Sequence, residues 1–156
     1  MDSLPETFEK YSRPLLANHP EIAVRWESHN KDGRRLTIAK QGDSGFDVVV
    51  EAETYGLYPF AGDWHGPAWE MVSKDETRQS LCTEFMGFVR SLLCADSSLE
   101  VLYAGSKPYK WILTYPTEQG KESLTTGLLF FNVFARKSRC VFQNHHLPPR
   151  VGDIGF

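Results

Sequence analysis

The sequence predicts an α+β domain: an antiparallel sheet with helices packed on one face, in the order α-βββ-α-ββββ. Three observations carry this. Two segments place apolar residues at helical spacing behind capping signals. The runs between and after them alternate apolar and polar residues with a period of two, separated by glycine-bearing turns. The third is an echo: Phe8, Tyr11, Arg13, Leu15, Leu16, Ile22 and Val24 recur as Phe85, Phe88, Arg90, Leu92, Leu93, Leu99 and Val101, a constant 77 positions on. Leu36-Thr37 and Leu113-Thr114 keep the same offset. The expectation is a single globular domain over 1–156, built from two similar α-βββ halves at about 3–55 and 73–144, with 145–156 as an extended, surface-lying tail.

Ser3-Leu4-Pro5-Glu6 starts the first helix, with Ser3 as N-cap, Pro5 in the first turn and Glu6 closing a capping box. Leu4, Phe8, Tyr11 and Leu15 then repeat at helical spacing. Pro14 lacks an N–H and is expected to kink or end this helix, which Asn18-His19-Pro20 finishes. Three strands follow. Ile22, Val24 and Trp26 alternate with polar neighbours; Lys31-Asp32-Gly33 turns into Arg35–Lys40; Gly42-Asp43-Ser44-Gly45 turns again. Phe46, Val48, Val50 and Ala52 then point one way and Asp47, Glu51 and Glu53 the other, which predicts a meander with one wet, acidic face.

Gly56 to Glu70 mixes glycine and proline with aromatic residues and reads as a long, ordered loop. Ser73-Lys74-Asp75-Glu76 supplies a second capping box. The second helix follows with a wide apolar stripe of Leu81, Cys82, Phe85, Met86, Phe88, Val89, Leu92 and Leu93, leaving Glu84, Gly87, Arg90 and Ser91 off it. Strands are expected at Leu99–Ala104 and Tyr109–Tyr115, with a polar turn at Pro116–Lys121. Leu128–Ala135, apolar on both faces, reads as a central covered strand, and Arg139–Asn144 as the last one.

With 156 residues the chain can bury a core without metal or disulfides. Three cysteines, an odd number without zinc-like spacing, suit a reducing compartment. No basic and apolar leader opens the chain, and no apolar run approaches the ~20 residues of a bilayer span. The reading is a cytoplasmic protein with no membrane partner. The net charge of −3 is small, but Asp43 to Glu84 holds nine acids against two bases, while Arg136, Lys137, Arg139 and Arg150 crowd the end. Such a dipolar layout can steer a charged partner.

The aromatic segment is the first candidate site. Tyr58, Phe60, Trp64 and Trp69 surround Asp63 and His65, and Trp111 is a possible further wall. A carboxylate beside an imidazole suggests proton transfer, since His titrates near neutrality, but no nucleophile accompanies the pair. His145-His146, alone or with His65 or Cys140, is the second candidate. No H-x-H, H-E-x-x-H or C-x-x-C pattern supports it, so neither metal nor cofactor is expected. No catalytic residue is assigned. Arg34-Arg35 and Arg136-Lys137-Ser138-Arg139 lie near turns, but an acidic chain without a nucleic-acid-binding signature argues against nucleic acid as a partner. Nucleotide and hydrolase motifs are absent as well.

The order α-βββ-α-ββ resembles that of small acidic secretion chaperones, with two final strands where those have a helix. The function expected is a non-enzymatic protein-binding module of chaperone, immunity or adaptor type, contacting another protein through the acidic sheet face and the aromatic segment. The alternative is a small-molecule-binding protein or enzyme with a pocket under residues 56–70, lined by Asp63, His65, Trp64, Trp69 and Trp111. Open edge strands also allow a homodimer.

Overall fold

The computed structural model describes residues 1–73, 76–128 and 132–150. Helix α1 (Leu4–Ala17) begins as expected: the Ser3 hydroxyl accepts from the Glu6 N–H, and the Ser3 N–H donates to the Glu6 carboxylate at 2.8 Å. That backbone donor is the main reason the Glu6 carboxyl lies below its usual range. Pro14 does not end the helix, which runs on to Ala17. Pro14 is on the exposed side, where the carbonyl it leaves unpaired can meet water.

Strands β1 (Val24–His29), β2 (Gly33–Ile38) and β3 (Val48–Ala52) pair antiparallel in chain order. The β1–β2 turn is carried by Asn30 at φ 53°, a left-handed conformation that Asn tolerates. Leu36, Ile38, Val48, Val50 and Ala52 are fully buried beneath the helices. On the other face Arg35, Thr37 and Glu51 alternate with them as expected, but Val49 lies there too.

The segment 56–70 is not a loop. It continues the sheet as β4 (Gly56–Ala61), β5 (Trp64–His65) and β6 (Trp69–Glu70), with β5 and β6 both pairing with β4. Pro59 explains how a strand survives here. The Pro59 carbonyl accepts from Gly66, so residue 59 points its polar groups toward the β5–β6 side. There β5 covers only residues 60–61 and β6 only 56–57, so the missing N–H falls in the gap between them.

Helix α2 (Arg78–Leu93) starts later than expected. Thr77 is its N-cap, closing a box with Ser80, whereas Glu76 bonds back to the Val72 N–H. Lys74 and Asp75 of the expected cap lie outside the described residues. The apolar stripe is buried as read, but Arg90 and Ser91, expected off it, are buried too.

A second sheet holds β7 (Ser98–Ala104), β8 (Lys107–Thr117), β9 (Gly120–Gly127) and β10 (Lys137–Gln143), in the order β10-β7-β8-β9. The α+β class and the antiparallel pairing thus stand, with the strands divided between two sheets. The third strand of this half is the polar β9, not Leu128–Ala135. Leu128, Val133 and Phe134 are exposed, with Phe134 at 95%, and Asn132–Ala135 forms a turn. Residues 129–131 of that expected strand lie outside the described ones.

One core joins the layers. Phe8 meets Phe85 edge-on, Phe85 and Phe88 flank Trp69, and Phe88 meets Tyr115 at 5.0 Å. Residues 144–150 do not trail along the surface. Asn144 accepts from the Phe46 N–H at 3.0 Å and donates to the Leu92 carbonyl at 3.2 Å. Leu147 exchanges backbone bonds with Leu93 and Ala95, and His146 bonds the Ala39 carbonyl. The first sheet's turn is thereby stapled to the end of α2. Residues 151–156 lie outside the described ones.

Candidate functional site: a groove across the second helix

Strand alternation scatters the residues that the aromatic segment was expected to gather. Trp64 is 1% exposed and points into the core, where Gly66 leaves room for its ring; a Cβ at Gly66 would come within 2.4 Å of it. Trp69, half-buried, packs against Phe85 and Phe88. Trp111 lies partly buried against the core from β8. The indole N–H groups of Trp64 and Trp111 are buried without an acceptor among the described residues. Tyr58 and Phe60 lie on the outer face of the first sheet, and His65 pairs with Phe60. Asp63 is exposed in the β4–β5 turn.

That outer face holds the acidic residues, but they are partnered. Arg35 binds Glu51, Asn30 donates to Glu53 at 3.0 Å, and the His29 imidazole lies 3.5 Å from Glu51 and 3.3 Å from Glu53. One imidazole nitrogen and two carboxylate oxygens come together here in an ion-pair network. Arg34 reaches the other way, to Glu9 of α1 at 2.8 Å, so the Arg34-Arg35 pair is engaged within the fold. Cys82 is buried, and burial pushes its thiol up to about 11; Cys94 is raised likewise. Neither is an accessible thiolate. Cys140 is exposed on β10.

The principal concavity lies elsewhere. A groove of about 750 Å³ runs between α1, α2 and the β8–β9 hairpin. Its floor is aromatic and aliphatic: Trp69, Phe88, Tyr115, Met86 and, from α1, Tyr11 and Leu15. Gly87 opens it along α2, since a Cβ there would meet nothing within 4 Å. Of the residues expected to form a site, only Trp69 lines this groove.

Its polar groups are of two signs. Arg90 is only 7% exposed, and among the described residues its one short side-chain contact is between a guanidinium nitrogen and the Cys94 sulfur at 4.0 Å. Among the described residues no carboxylate comes within 4.0 Å of it, although Glu84, Glu118 and Glu122 line the same groove. Arg150 stands beside it, donating to the Ser91 hydroxyl at 2.8 Å and lying 4.0 Å from Glu118. Tyr115 donates to Glu122 at 3.1 Å; burial and that carboxylate push its phenol up to about 12, so it remains a neutral donor.

Arg90, Arg150 and Tyr115 did not stand out in the sequence. The signal that was present is an arginine on the margin of a wide apolar stripe, where a second covering element buries what a single sheet would leave exposed. No family model matches the chain, and neither a curated protein nor a solved structure is significantly similar to it.

Proposed function

We propose that the protein is a non-enzymatic protein-binding module, and that the groove across α2 is where a peptide segment of its partner docks. The observation carrying this reading is the groove itself. An open trough on two helices and a hairpin, floored by Trp69, Phe88 and Tyr115, combines the residue types that dominate binding hot spots. Its rim, with Glu84, Glu118 and Glu122 against Arg90 and Arg150, suits a segment bearing both charges better than a simple fatty anion. Three unpaired cysteines fit a cytoplasmic setting, and none of the described helices is long and apolar enough to cross a membrane.

Selection of a random peptide library on the purified protein tests the reading, with Gly87→Trp as the blocked control. Selected peptides should bind the wild type and bind Gly87→Trp at least about tenfold more weakly, a difference of about 1.4 kcal/mol. Equal binding to both, or no enrichment, would remove the groove as the docking site. A small-molecule reading draws on one observation, that the volume lies within the roughly 300–1,000 Å³ of ligand pockets. It would show as thermal stabilisation by a metabolite in the wild type and none in Gly87→Trp.

A further inference from the structure

A guanidinium withdrawn from water and left without an anion is unfavourable, and the usual resolution is a partner carboxylate. Arg90 comes near to this: the residue is more than nine-tenths buried, it lines the groove, and it has no carboxylate partner among the described residues. None of the acids lining the groove pairs with it among the described residues. Glu122 holds the Tyr115 hydroxyl, Glu118 leans toward Arg150, and Glu84 makes no ion pair among the described residues. The Cys94 sulfur at 4.0 Å is a weak acceptor. Arg150 lies across Ser91 from it, donating to the Ser91 hydroxyl at 2.8 Å. Phe88, Met86 and Leu15 give the same groove an apolar part.

We infer that the segment docking in this groove presents an acidic side chain to Arg90, flanked by an aromatic or aliphatic residue that lies on Phe88 and Tyr115. This rests on the docking reading above and adds the chemistry of the ligand to it. A planar guanidinium takes a carboxylate through two parallel N–H bonds, which gives such a pair orientation as well as attraction. The apolar neighbour would keep that pair from water, where it would count for little.

The test uses two matched probes on the full chain, N-acetylphenylalanine and its amide, which share shape and differ in charge. Binding is followed by the NMR signals of the Gly87 and Ser91 amides and of the Arg90 Nε–H. The carboxylate should bind about tenfold more tightly than the amide, the effect of one charge-assisted hydrogen bond. Arg90→Met should abolish that preference while matching or exceeding the wild type in thermal stability. Arg90→Lys, which keeps the charge but loses the fork, should lose most of the preference and serves if the methionine variant does not fold. Equal shifts from both probes would overturn the carboxylate while leaving the groove as a docking site. A preference that survives in Arg90→Met would overturn it too, by placing the anion elsewhere. Failure of the docking reading itself is read separately, from peptides that ignore Gly87→Trp.

Discussion

Single side chains in this molecule are placed by how their polar atoms are answered. Arg90 and Glu9 make opposite cases. Burial pushes the Glu9 carboxyl up, but hydrogen bonds from Arg13 and Arg34 outweigh it and hold the group below its usual range. A depressed folded-state pKa means stability that is present above the unfolded value near 4.5 and lost as the pH falls through the folded one. Glu9→Gln should therefore lower the melting temperature at pH 7 by an amount equivalent to about 1 kcal/mol, since the pairs are partly solvated. The gap to wild type should close in acid; thermal melts across pH 2–7 check this, and a gap that persists at pH 2 would show that the loss is steric. Trp64 was read as a binding residue, and its burial makes it a structural one. Trp64→Ala should cost about 3–5 kcal/mol in denaturant unfolding. A loss of binding in that variant would say nothing about a surface.

At the scale of elements, what was legible is what periodicity reports. The α2 stripe and the alternation of β2 and β3 follow from where apolar residues fall, and those elements appear within a few residues of expectation. Periodicity failed where other terms decide. β9 is polar along nearly its whole length because it is an edge strand, held by its ladder to β8, while the apolar Leu128–Ala135 run looked more like a strand than it did. Residues 56–70 carry the glycine and proline of a loop, yet the interruption of pairing opposite Pro59 lets them form strands. The groove was illegible for a related reason: it is assembled from two helices, a hairpin, Trp69 and Arg150, and no single stretch of sequence carries it. Gly87 offers the element-scale prediction. Gly87→Ala should stabilise the protein by about 0.5–1 kcal/mol, because the methyl meets open space and the helix gains an alanine. Destabilisation in chemical unfolding would show that the groove wall is closed at that point.

Across the whole molecule, α2 and residues 144–147 bind the two sheets into one unit. Asn144, 1% exposed, satisfies a backbone N–H of the first sheet's turn and a backbone carbonyl of α2 at once. Asn144→Ala should leave both groups unanswered and cost about 2–4 kcal/mol, with the loss seen at the same midpoint by fluorescence and by circular dichroism. Two separated transitions would show that the sheets unfold independently. The same assembly forms the groove, with Arg150 reaching Ser91 from beyond the last strand. We propose that this groove takes a partner segment through Arg90 and an apolar floor. The most direct measurement is the affinity of one library-selected peptide for wild type, Gly87→Trp and Arg90→Met, by calorimetry. Both substitutions should weaken binding about tenfold or more while the fold persists. Undiminished affinity in both folded variants would contradict it.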